Sequence, residues 1–231
     1  VVIFSPFYEN YGADTILSGA EPVYVPLKPP TFCFDADELE AAMKQDGVKA
    51  LILCNPSNPC GKVFTRDELL VIADLAKKYD LYVITDEVYE HILYKPHVHT
   101  YMASLPGMRE RTIMCNSLSK TYGLAGARIG FCVGNKEVVS HLKTLKSNMD
   151  YGMFLPIQQA AIVAITGDQS CVAVTRSAYE KRRDVLCDGL SAIGWKFPKP
   201  EATMFVWAPV PESFTSSEVF AVELVKRSGV L

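Results

Sequence analysis

Residues 112–134 read T-I-M-C-N-S-L-S-K-T-Y-G-L-A-G-A-R-I-G-F-C-V-G. Two apolar runs of strand length, 112–116 and 129–133, flank a polar turn that holds Lys120 between hydroxyl residues and glycines. Lysine is normally found on solvated surfaces, so a lysine directly after a buried strand is unusual. A partly desolvated lysine gives up its proton more readily and can form a Schiff base with a carbonyl compound. The stretch therefore predicts two sheet strands with a reactive lysine at their edge.

Outward from this stretch, short apolar runs alternate with amphipathic segments. The runs are rich in Val, Ile, Leu and Cys and mostly lack polar alternation, which is typical of strands buried on both faces. Asp35 with Glu38, and Thr65 with Glu68, match the capping pattern that opens a helix. Strands separated by helices predict an α/β fold with a mainly parallel sheet flanked by helices. Six runs are predicted strands: 1–4, 22–27, 49–54, 81–85, 112–116 and 129–133.

The pattern changes near residue 165. Residues 171–193 predict a long helix, and strand-like runs follow at Trp195–Phe197 and Met204–Trp207. A last helix is predicted from about Thr215 to Gly229, because glycine commonly stands just past a helix. We therefore expect one α/β domain over residues 1–170, and the beginning of a smaller α+β domain over residues 171–231.

Composition narrows the function classes. The chain of 231 residues has a formal net charge of −3 and a pI near 5.8, so we expect no nucleic-acid partner. No apolar run approaches the roughly 20 residues that cross a bilayer, and no signal peptide is recognisable.

Seven cysteines without a C-x-x-C pair favour a reduced, cytoplasmic setting. His97 and His99 lie in a polar loop without the four ligands of a structural zinc site, so we expect no metal.

Three further motifs follow predicted strands. They are P-F-Y at 6–8, N-P-S-N-P-C-G at 55–61 and T-D-E-V-Y at 85–89. Each has an ordinary interpretation by itself, as core packing, a surface turn and a helix cap respectively. In open α/β sheets, however, ligands bind outside the carboxyl ends of the strands. All the motifs are predicted at such ends, which favours a shared site.

Two of these motifs, together with the Lys120 stretch, resemble the class I/II aminotransferases, which are fold-type I pyridoxal-phosphate enzymes. The residues that carry the resemblance are N-P-S-N-P-C-G at 55–61, D-E-V-Y at 86–89 and S-L-S-K-T-Y-G-L-A-G-A-R-I-G at 117–130. The resemblance covers essentially the whole chain and implies the large domain of that fold, followed by the start of the small domain. It departs from the family at Cys60, where threonine is usual.

The resemblance implies pyridoxal 5'-phosphate as cofactor and assigns four residues to its ring. Asp86 is the expected partner of the pyridine nitrogen. Asn58 and Tyr89 are the expected hydrogen-bond partners of the 3-oxygen, and Tyr8 is expected to stack on the ring. A carboxylate keeps the ring nitrogen protonated and makes the ring an electron sink.

It assigns four more residues to the aldehyde and phosphate ends. Lys120 is the expected internal aldimine lysine, which would later move a proton at the substrate α-carbon. Ser117, Ser119 and Arg128 are the expected phosphate ligands, since hydroxyl and guanidinium groups suit a phosphate. The catalytic residues implied are Lys120, Asp86 and Tyr89.

The implied reaction is ping-pong transfer of an amino group from an amino acid to a 2-oxo acid, by a homodimer. A pyridoxal-phosphate-dependent carbon–sulfur β-lyase would use the same residues and stays open. The family also has a phosphate-binding turn upstream of the position of Val1 and a substrate-binding arginine beyond that of Leu231. We therefore also consider a catalytically incomplete, truncated chain, which we expect to bind cofactor poorly and not to transaminate alone.

Overall fold

The computed structural model describes residues 1–230, so Leu231, the last residue of the predicted small-domain part, lies outside the described residues. Six strands form one sheet in the order β2-β1-β3-β4-β5-β6, and β6 alone runs antiparallel to its neighbour. The predicted, mainly parallel sheet is therefore confirmed. The strands are β1 Val2–Ser5, β2 Val23–Pro26, β3 Ala50–Cys54, β4 Tyr82–Asp86, β5 Thr112–Ser117 and β6 Gly130–Gly134.

Helices connect and follow the strands, and both predicted capping patterns are confirmed. The Asp35 carboxylate accepts the backbone N–H groups of Asp37 and Glu38, while Thr65 and Glu68 form a reciprocal capping box. No described helix has both the length and the apolar character that a bilayer crossing requires. The helices are α1 Asn10–Leu17, α2 Ala36–Met43, α3 Arg66–Lys78, α4 Leu118–Thr121, α5 Lys136–Met149, α6 Leu155–Thr166, α7 Ser170–Ala192 and α8 Ser217–Ser228.

The main hydrophobic core lies between the sheet and helices α2 and α3. Leu51 and Val83, on the central strands, are completely buried, as are Leu69 and Ile72 on the inner face of α3. Each such side chain stabilises the fold by about 1.5–3 kcal/mol relative to an exposed one. This packing fixes the central strands, so the loops at their carboxyl ends stand on a rigid base.

The two strands predicted at 195–197 and 204–207 are not formed, and that prediction is wrong. Among the described residues between α7 and α8, the one β-type pairing is an isolated antiparallel bridge between Ala202 and Leu93, which lies in the loop after β4. The backbone N–H of Ala202 is instead bonded to the carbonyl of Gly61 at 3.0 Å. Prolines that cannot donate to a ladder flank both runs and prevent either from being extended: Pro198, Pro200, Pro209 and Pro211.

Candidate active site

The polar motifs predicted to share a site all follow strands whose carboxyl ends lie at one edge of the sheet. β1, β3, β4 and β5 are mutually parallel through the sheet order. The register aligns Asp86 at the end of β4 with Cys54 on β3 and Cys115 on β5. Asp86 therefore stands near the middle of this edge, with a loop-bearing strand on each side.

A half-buried hydrogen-bonded pair orients the Asp86 carboxylate. The Tyr11 hydroxyl donates to Oδ2 of Asp86 at 2.6 Å, and the backbone N–H of Val88 donates to Oδ1 at 3.2 Å. Burial, together with the nearby Cys54 thiol and the Asp86 charge, raises the pKa of Tyr11. Tyr11 therefore remains a protonated donor at neutral pH and holds the carboxylate in one orientation.

Asn58 and Tyr89 are brought together beside this pair. Tyr89 lies in a turn after β4 and is 3% exposed. Burial first, then the neighbouring Cys54 and Asp86, raises the pKa of its hydroxyl, while the Asn58 side chain acts in the opposite direction. The Asn58 backbone N–H contacts Sγ of Cys54 at 3.4 Å, which helps to hold its turn. The two side chains thus offer neutral donors next to the Asp86 carboxylate.

Tyr8 supplies an accessible aromatic ring at the same edge. Its ring is 40% exposed and meets the ring of Tyr11 edge-on, with centroids 5.7 Å apart and an interplanar angle of 76°. The residue before it, Phe7, is instead stacked on Tyr24. Tyr8 is therefore free to stack on a flat ligand, whereas Phe7 is used in packing.

The Lys120 turn is the four-residue helix α4 with its cap. Ser117 is that cap, and its Oγ accepts the Ser119 N–H at 3.1 Å. The same oxygen lies 2.8 Å from Oγ of Ser119 and 2.9 Å from the carbonyl oxygen of Ile129. Lys120 is half-buried, and its ammonium forms no ion pair with any of residues 1–230. Two hydroxyls and an unpaired lysine thus stand at the end of β5.

Arg128 is not brought to these hydroxyls by its side chain. It is exposed, adopts a left-handed backbone conformation with φ of 53°, and its Nη1 donates to the Ala125 carbonyl at 3.0 Å. A guanidinium carries five N–H donors, so this single bond leaves most of its donor capacity unused. The carbonyl of its neighbour Ile129 accepts a hydrogen bond from the Ser117 hydroxyl, so the backbone next to Arg128 lies beside the Lys120 turn.

A segment from the C-terminal part buttresses the Asn58 turn. Gly61 has a φ of 72°, and a Cβ at this position would lie 2.6 Å from Cβ of Pro200. The Glu201 carboxylate accepts the N–H of Val63 at 2.8 Å, and Thr203 donates its N–H to the Ile92 carbonyl at 2.8 Å. The segment around residues 200–203 therefore packs between the turn after β3 and the loop after β4. Glycine is required at position 61, where the turn comes closest to this segment.

Sequence reasoning missed Tyr11 and Cys54. Tyr11 carries a usable signal, because it stands three residues after Tyr8 and residues at this spacing share one side of a helical turn. Cys54 carries no such signal, since a cysteine that ends an apolar run is more often simple packing. Only the register, which pairs Cys54 with Asp86, reveals its place in the site.

The family model for aminotransferase class I and II matches residues 1–231. The chain belongs to this family. Its mainly parallel sheet flanked by helices is the fold of the class I/II aminotransferases.

Relatives with curated names support this assignment. The chain is 38% identical to a glutamate-pyruvate aminotransferase of Escherichia coli over all of its own length and 56% of the relative's. It is 35% identical to an LL-diaminopimelate aminotransferase of Moorella thermoacetica, over 98% of this chain and 58% of the relative. The chain therefore spans a little more than half the length of these relatives.

Solved structures agree with the sequence relationship. The N-succinyldiaminopimelate aminotransferase of Mycobacterium tuberculosis superposes with a TM-score of 0.93 at 35% identity, over 99% of this chain and 60% of that one. The aromatic aminotransferase of Pyrococcus horikoshii superposes with the same TM-score at 32% identity, over 97% and 61%. The fold-type I architecture of the aminotransferases is therefore shared across essentially all of this chain.

Proposed function

We propose that this chain carries the cofactor-binding core of a pyridoxal-phosphate-dependent aminotransferase, which moves an amino group from an amino acid to a 2-oxo acid by a ping-pong mechanism. The observation that carries the proposal is the Asp86 carboxylate, fixed by Tyr11 beside Asn58 and Tyr89. Lys120 lies at the end of the adjacent strand. Family membership supports the same conclusion, since class I/II aminotransferases in general depend on this cofactor.

The residues at the sheet edge fit the chemistry of pyridoxal phosphate. Its ring nitrogen is a proton-carrying group that suits a carboxylate, and its 3-oxygen is an anion that suits neutral donors. Asp86 offers the first, and Asn58 and Tyr89 offer the second, because the raised pKa of Tyr89 keeps its hydroxyl protonated. The exposed face of Tyr8 suits a flat ring. When bound, the cofactor supplies an electron sink for charge on the substrate α-carbon.

Asp86 is proposed to keep the ring nitrogen protonated. A carboxylate can do this only if it stays ionised and correctly oriented. The Tyr11 hydroxyl donates to one oxygen and the Val88 N–H donates to the other, so both oxygens of Asp86 are held in place. Tyr11 is thus a positioning residue that acts through Asp86.

Lys120 is proposed to hold the cofactor covalently and then to act as the base. With the cofactor bound, the Lys120 amine would be the group placed to move a proton to and from the substrate α-carbon. Lys120 forms no ion pair with the other described residues, so no salt bridge has to be broken before its amine can react.

Ser117, Ser119 and Arg128 are proposed to bind the phosphate. Oγ atoms 2.8 Å apart form a compact pair of hydroxyls at the start of α4. The proposal requires the Arg128 side chain to leave the Ala125 carbonyl and rotate toward this pair. A guanidinium–phosphate pair is a charge-assisted, often bidentate interaction, which is stronger than the neutral bond that it replaces.

The proposed substrates are an amino acid and a 2-oxo acid, with the amino donor unassigned. The named relatives act on different amino acids, so similarity favours the reaction class rather than one substrate. We also infer a homodimer from the family resemblance. Seven free cysteines support a reducing, cytoplasmic location.

The proposal is tested by mapping the lysine that holds the cofactor. Reducing the loaded protein with borohydride fixes the cofactor on its lysine and blocks trypsin there. We expect the label in the uncut peptide 112–128, because cleavage after Lys120 is lost while cleavage after Arg111 and Arg128 remains. Lys120→Arg should abolish the label and Lys136→Arg, at an exposed lysine, should keep it. A label on another lysine contradicts the proposal.

The reaction type is tested with and without an acceptor. An aminotransferase consumes the amino acid beyond one equivalent only when a 2-oxo acid is present, because the amino group must be passed on. A β-lyase instead releases ammonia and pyruvate from a cysteine conjugate without any acceptor. Acceptor-independent pyruvate release would therefore replace the aminotransferase by the lyase while leaving the role of Lys120 intact.

A further inference from the structure

Two cysteine side chains face each other across the antiparallel strands β5 and β6. The register pairs Cys115 with Cys132, and their Sγ atoms are 3.3 Å apart. All seven cysteines are free, and both members of this pair are only half-buried. Small oxidants can therefore reach two thiols that are already in contact.

The backbone places the pair at a favourable position for a cross-link. Asn135 donates its N–H to the Thr112 carbonyl at 3.1 Å, and Leu118 donates to the Ile129 carbonyl at 3.4 Å. Hydrogen-bonded and non-hydrogen-bonded pairs alternate along antiparallel strands. Cys115 is three residues from both Thr112 and Leu118, so its pair is of the non-hydrogen-bonded kind. Such pairs have a Cα separation of about 4.5 Å, at the lower end of the range of disulfides.

The contact also makes the two thiols chemically unequal. The hydrogen bond with the Cys115 thiol lowers the pKa of Cys132 to about 7, although partial burial opposes this. The same hydrogen bond, followed by burial, raises the pKa of Cys115. The thiolate is the nucleophilic form of cysteine. Cys132 is thus suited to react first with an oxidant, and Cys115 is suited to resolve the product.

We propose that Cys115 and Cys132 form a site of reversible oxidation by hydroperoxides, in which a disulfide joins β5 to β6. The Cys132 thiolate attacks the peroxide, the O–O bond breaks, and a sulfenic acid forms as the first water leaves. The Cys115 sulfur then attacks the sulfenic sulfur, the S–S bond forms, and the S–O bond breaks with loss of a second water. Two thiols are oxidised by two electrons, and one hydrogen peroxide is reduced to two waters.

The cysteine pair lies next to the residues of the candidate site at the sheet edge. Cys115 is the register partner of Asp86, and its carbonyl accepts the N–H of Glu87 at 3.0 Å. It stands two residues before Ser117, which begins the Lys120 turn. A covalent link to β6 would fix this part of β5. The oxidation itself involves neither cofactor nor substrate, so it stands independently of the proposed aminotransferase reaction.

The test is peptide mapping after oxidation of the purified protein. The protein is treated with about one equivalent of hydrogen peroxide, blocked with N-ethylmaleimide, and digested with trypsin without reductant. Cys115 and Cys132 fall in separate peptides, 112–120 and 129–136, each with a single cysteine. We expect the two peptides joined by a disulfide as the main oxidised product. Dithiothreitol should separate them.

Serine variants give the matched controls. Cys115→Ser and Cys132→Ser should each lose the joined peptide, and Cys171→Ser, at an exposed cysteine outside the pair, should keep it. If either variant fails to fold, the wild-type protein alone still decides the question. The proposal is wrong if peptides 112–120 and 129–136 are recovered separately and fully alkylated while the exposed Cys33 and Cys171 are oxidised.

Discussion

The phenol of Tyr11 and the carboxylate of Asp86 are hydrogen-bonded at 2.6 Å although 75 residues separate them in the chain. The contact joins the first turn of α1 to the end of β4. Helix α1 and strand β4, which are far apart in the chain, therefore together determine the orientation of one carboxylate. Its orientation depends on both elements being in place, which makes the pair a direct target for mutation.

Tyr11→Phe removes the hydroxyl and keeps the ring against Tyr8. A hydrogen bond to a charged group contributes about 1.5–3 kcal/mol, and about 1.4 kcal/mol corresponds to a factor of ten. In a full-length protein that contains this chain, we expect turnover in a transamination assay to fall about tenfold or more, with cofactor still bound. Tyr82→Phe, at a partly exposed tyrosine of β4, is the control and should retain wild-type turnover. Unchanged turnover in Tyr11→Phe would remove its positioning role.

Asp86→Asn should separate cofactor binding from chemistry. The proposed binding contacts are spread over ring, lysine and phosphate, whereas the proposed role of keeping the ring nitrogen protonated belongs to the carboxylate charge alone. In a full-length protein that contains this chain, we expect the visible absorbance of bound cofactor to persist and most of the turnover to be lost. Asp80→Asn, at an exposed carboxylate, should behave as wild type. Full activity in Asp86→Asn contradicts the proposed role.

Gly61→Ala tests the close approach between the Asn58 turn and the segment near Pro200. The added Cβ would meet Pro200 Cβ at 2.6 Å and the Ala202 carbonyl oxygen at 3.0 Å, on a backbone with φ of 72°. Overpacking of this kind costs about 1–3 kcal/mol, and strained φ adds to it. We expect a lower free energy of unfolding by urea denaturation. Gly19→Ala, where φ is 77° but nothing lies nearby, measures the backbone contribution alone.

Glu68→Gln tests a buried ion pair. Nζ of Lys62 and Oε1 of Glu68 are 2.8 Å apart, with side chains only 5% and 20% exposed. Glutamine also serves in a capping box, so the substitution removes mainly the charge. Leaving a buried lysine unpaired costs about 3 kcal/mol. We expect a loss of that order in the free energy of unfolding at pH 7, and no measurable loss for the exposed Glu212→Gln.

The same pair gives a pH dependence. Burial acts to raise the pKa of Glu68, but hydrogen bonds from Lys62 and the Thr65 backbone outweigh it, and the pKa lies below its ordinary value of 4.5. The stabilisation is therefore complete above the unfolded-state pKa and is lost as the pH falls through the lower folded value. The difference between wild type and Glu68→Gln should shrink below about pH 4.5 in urea titrations. A difference that stays constant to pH 3 contradicts this.

The sheet was predictable because its strands are buried on both faces. The run 49–54 and the strand Ala50–Cys54 differ by one residue, since continuous apolar character leaves little room for another structure. The segment 195–207 was not predictable by the same means. Its apolar residues pack and hydrogen-bond between two loops, and local sequence does not encode such contacts.

For the candidate site, the placement of residues beside one another was predictable where a motif is short and contiguous, as at 117–120. The contact between Cys54 and Asp86 was not predictable, because it depends on the register of the sheet. The contact of Tyr11 with Asp86 was not predictable either, because it depends on how helix α1 packs against the end of β4. The orientation of Arg128 could not be predicted either. Its guanidinium has an alternative acceptor three residues away at Ala125, and sequence does not reveal which acceptor is used.

The register that aligns Cys54, Asp86, Cys115 and Cys132 in one row has a consequence for the acceptor capacity of the central carboxylate. An ionised carboxylate has about four lone-pair sites, and thiols are only weak donors. Within residues 1–230, Tyr11 and Val88 occupy one site on each oxygen of Asp86. Sulfur neighbours do not compete for the remainder, so the sheet surrounds Asp86 with polarisable groups and leaves roughly half of its hydrogen-bonding valence for a ligand.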